Sequence, residues 1–306
     1  MSTKISVSSP STASTQASYT LGSVISRDGT IIGYRQLGHG PAVVLLHGSN
    51  VSGRDFTQLA EGLADAFTVY LPDRRGRGLS GPYGNDYHMQ KEVEDLDALL
   101  TGTDAHKVFG VSAGGIICLQ AALTLPAIQQ IALYEPALLL DGTTHTAWVT
   151  RFDQEMAQGK VAAALVTSMK GLELGGAAMN AMPRFLLELI TAMALKSEDK
   201  KARREDITMR KLAPTLHYDG LLLAEMSGQL ERFRALSAEV LLLSGSKGLP
   251  FLKPSLDALE KVLPRVVKRV ELPGLEHGGS NNPGPTNRGS NPKLVAQELR
   301  QFFARP

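Results

Sequence analysis

Residues 110–114 read Gly-Val-Ser-Ala-Gly, and this pentapeptide constrains the fold more than any other segment of the chain. It follows a short apolar run at 107–109 and precedes a run with helical spacing at 116–125. A strand, a sharp turn and a helix in this order place the serine on a strained corner, with its hydroxyl at the edge of a sheet. The flanking glycines allow the strand and the helix to approach closely. The segment predicts that Ser112 is a nucleophile and that the chain is a serine hydrolase.

The alternation of strand-like and helical segments predicts an α/β fold, with a mostly parallel sheet and crossover helices. Near-continuous apolar runs are typical of strands that are covered on both faces. The expected strands are 24–26, 31–34, 42–46, 67–71, 108–111, 131–134, 240–243 and 266–272, and the expected helices lie near 55–65, 89–100, 113–125, 255–263 and 293–303.

The segment 141–226 interrupts this alternation, because it has helical spacing and no clear strand. We expect it to be a helical cap, or lid, inserted into a core made of 19–140 and 227–306. Open α/β sheets bind their ligands at the carboxyl ends of the strands, and the lid is expected to lie over that edge. The Ser- and Thr-rich residues 1–18 are expected to form a disordered tail.

Charge and cysteine content exclude several classes of partner. The formal net charge is +2, which gives no reason to expect nucleic acid or an anionic membrane. No apolar run approaches the roughly 18 residues that a membrane span needs. Cys118 is the single cysteine, so no internal disulfide can form and a reduced, cytoplasmic location is expected. No spacing typical of a metal or cofactor site is visible, and none is expected.

A serine hydroxyl needs a base to take its proton and donors to stabilise the oxyanion that forms on the attacked carbonyl. His277 is the expected base, because it lies beyond the last expected strand and its loop can reach the sheet edge. The expected oxyanion donors are the backbone N–H groups of Ala113 and Ser49, the latter in the loop after the 42–46 strand. His47, in the same loop, is expected to be structural.

Four segments in this order resemble the α/β-hydrolase superfamily. They are 46–48 (Leu-His-Gly), 73–80 (Asp-Arg-Arg-Gly-Arg-Gly-Leu-Ser), 110–114 and 276–278 (Glu-His-Gly). The resemblance extends over about 20–304 and is more specific for the fold than for the substrate. It implies that 73–80 is a turn-forming structural loop after a strand, with arginines that are solvated or paired with nearby carboxylates.

The acid of the expected Ser–His–acid triad departs from the family pattern. Many members carry it shortly after the strand equivalent to 240–243, where this chain has Gly248. Some members take the acid from the end of the preceding sheet strand, and Glu135 stands there in this chain. Asp219 is the alternative. Glu276 is less favoured, because an adjacent residue does not easily bond to its neighbour's ring.

The expected lid is rich in methionine and aromatic side chains, which suit an apolar pocket for bulky ligands. The alternative for each is that it packs the lid's own helices. The candidate substrate-binding residues are Trp148, Phe152, Met156, Met182, Phe185 and Tyr218.

These features predict an enzyme that hydrolyses an ester or lactone of a small to medium hydrophobic substrate through an acyl-enzyme intermediate. The same triad also serves perhydrolases and carbon–carbon bond hydrolases. A second class of function is a non-catalytic small-molecule receptor on the same fold, which the glycine at the usual acid position favours.

Overall fold

The structure is a computed structural model that describes residues 19–140, 147–174, 179, 181–203, 206–284 and 287–305. The strands are β1 (Thr20–Ile25), β2 (Ile31–Gly38), β3 (Ala42–Leu46), β4 (Thr68–Pro72), β5 (Lys107–Val111), β6 (Gln130–Tyr134), β7 (Glu239–Lys247) and β8 (Val266–Glu276). The helices are α1 (Thr57–Glu61), α2 (Met89–Thr103), α3 (Ala113–Thr124), α4 (Trp148–Ala157), α5 (Val161–Gly171), α6 (Arg184–Lys201), α7 (Met209–Leu212), α8 (Thr215–Met226), α9 (Lys253–Val262) and α10 (Pro292–Phe303).

Within the described residues, the strands form one eight-stranded sheet in the order β1-β2-β4-β3-β5-β6-β7-β8. β2 is antiparallel to both β1 and β4, and all other neighbours are parallel. The predicted α/β fold with a mostly parallel sheet is therefore confirmed. The parallel strands end at a common edge, which collects the segments that follow β3, β5, β6, β7 and β8.

The central strands have the burial that their apolar sequence predicts. Every residue of β6 is buried, and β3 and β5 are buried except at their first residue. α3 is buried from Ala113 to Ala122, because it contacts α2 as well as strands β3, β5 and β6. A continuous apolar sequence suits strands and helices that are covered on every side.

Some boundaries differ from those expected from sequence. The helix expected near 55–65 is a 3₁₀ turn, Gly53–Phe56, followed by the short α1, and the chain leaves the helix at Gly62. β8 continues to Glu276, four residues past its expected end, so His277 follows it directly. The extension matters because it brings the histidine to the edge where the other strands end.

Contacts divide the described residues into two compact units, one that runs up to Leu138 and resumes at Gln229, and one within Leu139–Gly228. The first contains the sheet, and the second contains α4 to α8. In the helical unit, Arg184 donates to Glu155 Oε1 at 2.7 Å and to Thr167 Oγ1 at 2.8 Å, and so joins α4, α5 and α6. Whether this unit acts as a lid stays a prediction. Among the described residues, no helix has the length and apolar character needed to cross a membrane.

Cys118 is expected to resist alkylation in the native protein. Its side chain lies within α3, and burial raises the pKa of the thiol to about 12. Since the thiolate is the reactive form, iodoacetamide at about pH 8 should modify the native protein about 10³-fold more slowly than the protein unfolded in guanidinium. Mass spectrometry of timed samples measures both rates, and equal rates would contradict the buried environment.

Candidate active site

Ser112 occupies a strained turn between β5 and α3. Its backbone has φ 53° and ψ −118°, a conformation that non-glycine residues rarely adopt. Glycine is required on both sides: a Cβ on Gly110 would lie 2.6 Å from the oxygen of Gly114, and a Cβ on Gly114 would overlap the oxygen of Leu46. The local sequence therefore produces the sharp strand-to-helix turn that the pentapeptide predicts.

The side chains of Glu135 and His277 are in hydrogen-bond contact at the same edge of the sheet. Glu135 follows β6 directly, and its backbone also has a positive φ, 42°. His277 Nδ1 lies 2.7 Å from Glu135 Oε2. Because a carboxylate only accepts hydrogen bonds, Nδ1 carries the proton and donates it to this bond. In the neutral tautomer with this proton on Nδ1, His277 presents Nε2 as the acceptor that a general base requires.

The Glu135 carboxylate is held by backbone donors as well as by the histidine. Its side chain is 2% exposed. Gly245 N donates to Oε1 at 2.9 Å, and Leu249 N donates to Oε2 at 3.4 Å. These donors come from the end of β7 and the turn that follows it. The Glu135 carboxylate, which follows β6, is therefore held beside the segment after β7 where many members of the family carry the acid.

Gly248 leaves the space that this carboxylate occupies. A Cβ at position 248 would overlap Oε1 of Glu135. The glycine at the usual acid position therefore does more than remove an acid. A side chain at 248 and the Glu135 carboxylate in its observed position would occupy the same space. With any other residue at 248, the Glu135 carboxylate would have to leave its observed position.

We expect Gly248→Ala to lower both stability and activity. The methyl group must displace the Glu135 carboxylate, so the free energy of unfolding should fall by about 1–3 kcal/mol. Losing the hydrogen bond to His277 should also reduce kcat/KM by at least about tenfold. Denaturant titration and ester hydrolysis measure the two effects.

Gly284→Ala is the matched control, because a Cβ at 284 would meet no atom of the described residues within 4 Å. Equal behaviour of the two variants would contradict the close contact between Gly248 and Glu135.

One short segment, Tyr134–Ala137, connects Ser112 to the histidine. Ser112 N donates to Tyr134 O at 3.2 Å, and Ala137 N donates to Ser112 O at 3.1 Å. Between them lies Glu135, which holds His277. Among the described residues, no hydrogen bond joins Ser112 Oγ to His277; such bonds commonly tighten when substrate binds.

The loop that carries His277 is fixed at several points. Tyr134 donates its hydroxyl hydrogen to Glu276 O at 2.7 Å, so β6 holds the histidine through its backbone as well as through its acid. Asn282 N donates to Asp55 O at 2.6 Å. The side chain of Asn282 also bonds to the backbone of Arg54 and of Gln58. The loop sequence is rich in Gly, Asn and Pro, and these contacts give it a defined place.

The two expected oxyanion donors lie next to the nucleophile. Ala113 is the first residue of α3, where backbone N–H groups have no partner within the helix. A Cβ at Gly48 would lie 3.0 Å from Ser112 Cβ, so the loop after β3 closely approaches the turn. In the part of the chain that the structure describes, neither Ala113 N nor Ser49 N donates to a protein acceptor. Both can therefore donate to an anion.

His47 is buried and neutral, as a structural residue should be. Its Nε2 accepts a hydrogen bond from Arg74 N at 3.0 Å, and its Nδ1 lies 2.9 Å from Gly48 O. Burial, together with the nearby Arg77 and Arg74 guanidinium groups, holds its pKa well below the usual range. Both ring nitrogens have protein partners, so His47 does not compete with His277 as a base.

The arginines of the 73–80 loop were expected to be solvated or paired with carboxylates, and the structure excludes the first of these alternatives. None is solvated, since Arg74, Arg75 and Arg77 are 2%, 0% and 3% exposed. Arg74 pairs with Glu92 at 2.7 Å, and Arg75 pairs with Asp95 at 2.6 Å. Pairing is what keeps such buried charges tolerable.

The contact of Arg77 with the loop after β3 was not predicted from the sequence. Arg77 donates to two backbone carbonyls, Gly48 O at 2.9 Å and Val51 O at 3.3 Å. The signal that could have revealed it is topological: β3 and β4 are neighbours, so the loops that follow them meet at one edge.

The other acid candidates have different surroundings. Asp219 is buried in α8 of the helical unit. The Glu276 side chain is exposed. The nitrogen of His277 that a triad acid would hold is bonded to Glu135.

The predicted substrate-binding residues all lie in the helical unit, with varied exposure. Trp148 and Phe152 are buried and pack edge to face, with ring centroids 5.5 Å apart. Phe185 is 74% exposed. The remaining three, Met156, Met182 and Tyr218, are half-buried. Their assignment to a pocket stays a prediction. Among the described residues, no cluster of His, Cys, Asp and Glu could hold a metal ion.

Comparisons with known proteins give consistent results. Residues 43–295 match the model of the alpha/beta hydrolase family. The chain is 30% identical over 190 residues to a pimeloyl-[acyl-carrier protein] methyl ester esterase of Xanthomonas axonopodis pv. citri. The aligned region covers 62% of this chain and 69% of that enzyme. An enzyme with the same description from Xanthomonas oryzae pv. oryzae is 36% identical over 97 residues, only 37% of its length.

Solved structures extend the similarity to nearly the whole chain. An alpha/beta hydrolase from Sphaerobacter thermophilus has a TM-score of 0.71 and 28% identity, covering 92% of this chain and 100% of that one. A thermophilic esterase from Thermogutta terrifontis has a TM-score of 0.69 at 18% identity, covering 92% and 97%. The latter likeness is one of fold alone.

Proposed function

We propose that this chain, which belongs to the alpha/beta hydrolase family, hydrolyses carboxylic esters through an acyl-enzyme intermediate on Ser112. The observation that carries the proposal is the 2.7 Å contact between His277 and Glu135 beside a serine on a strained turn. A histidine with its proton directed to a carboxylate presents its other nitrogen as a base, which is the part that a serine nucleophile lacks. The pimeloyl-[acyl-carrier protein] methyl ester esterase that the chain resembles supports the same reaction class.

In this mechanism Ser112 Oγ attacks the ester carbonyl carbon while His277 Nε2 takes the hydroxyl proton. The carbonyl oxygen becomes an oxyanion and accepts hydrogen bonds from Ser49 N and Ala113 N. Collapse expels the alkoxide, which receives the proton from His277. Water then attacks the acyl-enzyme with the same base and donor groups, and releases the carboxylic acid and Ser112. Glu135 remains ionised and holds the imidazole in the required orientation.

The finer proposal is a small to medium hydrophobic ester or lactone, admitted by the helical unit acting as a lid. The side chains that would form the apolar and adaptable surface for such a substrate are Met156, Met182, Phe185 and Tyr218. Trp148 and Phe152, which are buried, would pack in the same unit behind them. A lactone fits the chemistry because its ring oxygen is the leaving group and stays attached to the acyl-enzyme.

A panel of substrates tests the function. We would measure hydrolysis of p-nitrophenyl acetate, butyrate and octanoate, an aliphatic methyl ester and a lactone, with product identification by mass spectrometry. The proposal expects ester turnover, and a burst of p-nitrophenol if deacylation limits the rate. Tight binding of these compounds with no turnover would contradict it and favour a non-catalytic receptor. If the protein formed peracids or cleaved carbon–carbon bonds faster than it hydrolysed esters, the same triad would be assigned to that reaction instead.

A further inference from the structure

A buried hydrogen-bond cluster lies on the far side of the peptide that carries the Ser49 N–H. The oxygen of Gly48 has two donors, His47 Nδ1 and Arg77 Nη1, each at 2.9 Å. Both side chains are nearly inaccessible, with 0% and 3% exposure. A carbonyl oxygen has two lone pairs, so protein donors satisfy this oxygen fully.

The position of the Gly48 oxygen determines the direction of the Ser49 N–H. The two groups belong to one planar peptide unit, which is trans, so they point in opposite directions. Holding the oxygen against His47 and Arg77 therefore directs the N–H away from them. Gly48 itself contacts the nucleophile turn, since a Cβ there would lie 3.0 Å from Ser112 Cβ.

Arg77 also closes the loop on the other side of Ser49. The same Nη1 donates to Val51 O at 3.3 Å. One guanidinium nitrogen therefore bonds to the carbonyls of Gly48 and Val51, the residues on either side of positions 49 and 50. Asn50 lies between these anchors in the left-handed region, with φ 56°. Asparagine tolerates this conformation better than most non-glycine residues do, and the two Arg77 hydrogen bonds lie on either side of it.

The charge of Arg77 adds an electrostatic effect to the positioning effect. His47 donates as a neutral group, because its Nε2 accepts from Arg74 N at 3.0 Å. Arg77 is permanently charged, and a charge-assisted bond to the Gly48 oxygen polarises the whole peptide. The Ser49 N–H then becomes a stronger donor to an oxyanion.

We infer that Arg77 is a positioning residue for catalysis, which orients and polarises the Gly48–Ser49 peptide so that the Ser49 N–H stabilises the oxyanion. This inference rests on the proposed function, because an oxyanion forms only if Ser112 attacks a carbonyl. It assigns to the 73–80 loop a role in transition-state stabilisation in addition to its structural role.

The test compares Arg77→Met and Arg77→Lys with the wild-type protein. In the methionine variant we expect kcat for p-nitrophenyl butyrate to fall by about 10- to 100-fold, with KM changed by less than about threefold, because the interaction forms in the transition state. Affinity for a trifluoromethyl ketone, which forms a tetrahedral adduct on the serine, should fall by a similar factor. Lysine keeps the charge and should recover part of both losses.

The control removes a different buried arginine from the same loop. Arg75→Met combined with Asp95→Leu removes the buried Arg75–Asp95 ion pair together with the contact of Arg75 to Asp28 at 3.0 Å, and kcat should remain within about threefold of the wild-type value. Thermal unfolding of every variant monitors folding.

Three outcomes would overturn the inference. One is wild-type kcat and ketone affinity in a folded Arg77→Met protein, and another is an equal loss of kcat in the control. The third is that neither Arg77 variant folds while the control does, which would make Arg77 purely structural. Absence of any ester turnover by the wild-type protein is a separate result: it contradicts the proposed function, and the role of Arg77 falls with it.

Discussion

Replacing Ser112 by alanine will lower kcat/KM for every ester that the protein hydrolyses by roughly 10⁵- to 10⁶-fold. Alanine removes the nucleophile while it leaves His277, Glu135 and both oxyanion donors in place. The residual rate should therefore be the small acceleration that binding and oxyanion stabilisation alone provide. Because the methyl side chain is compatible with the turn, we expect the unfolding temperature to change little.

The measurement is hydrolysis of p-nitrophenyl butyrate by purified wild-type and variant proteins, with the variant at high concentration. Ser23→Ala is a matched control, since Ser23 lies on the antiparallel strand β1, the first strand of the sheet order. The control should retain wild-type activity. A Ser112→Ala protein within tenfold of wild type would show that another group attacks the ester.

Replacing Glu135 by glutamine will lower kcat by about 10⁴-fold. Glutamine has nearly the same shape, so it should keep the packing beside Gly248, but it lacks the negative charge that stabilises the imidazolium. Its amide can also stabilise the wrong tautomer of His277, with the proton on Nε2, where it blocks base catalysis. Kinetics on the same ester, together with KM and thermal unfolding, separate this chemical effect from a loss of structure.

Asp219→Asn is the matched comparison, because it makes the same carboxylate-to-amide change at the other candidate acid. Asp219 is buried in α8, whereas Glu135 is bonded to the histidine. We expect the Asp219 variant to remain within about tenfold of wild type. A large loss confined to Asp219→Asn would transfer the role of the acid to that residue.

The fold could be predicted from sequence because its strongest signals are local. The apolar runs of β3, β5 and β6 are buried over nearly their whole length, and parallel strands produce this pattern. The Ser112 turn was predictable for a similar reason, since Gly110 meets its steric limit within the same strand–helix unit, whereas the limit at Gly114 comes from Leu46 on the neighbouring strand β3. Strand and helix ends were less accurate, because tertiary contacts decide where the last turn or pair of hydrogen bonds forms.

The candidate acid could be identified from the sequence, but its steric relation to Gly248 could not. A glycine at the usual acid position and a glutamate at the end of β6 could be read from the chain. That the two are sterically linked could not, because Gly248 and Glu135 come together only when β6 and β7 pair. The same holds for Arg77, whose acceptors lie in a loop that is distant in sequence.

The central claim is that Ser112 is activated by His277 and that Glu135 supports the histidine. Timed labelling with a small fluorophosphonate, read by intact mass and peptide mapping, tests it without knowledge of the substrate. We predict a single adduct on Ser112, formed much more slowly in Glu135→Gln and at nearly the wild-type rate in Asp219→Asn. No adduct on the folded wild-type protein, or a rate that Glu135→Gln leaves unchanged, would contradict the claim.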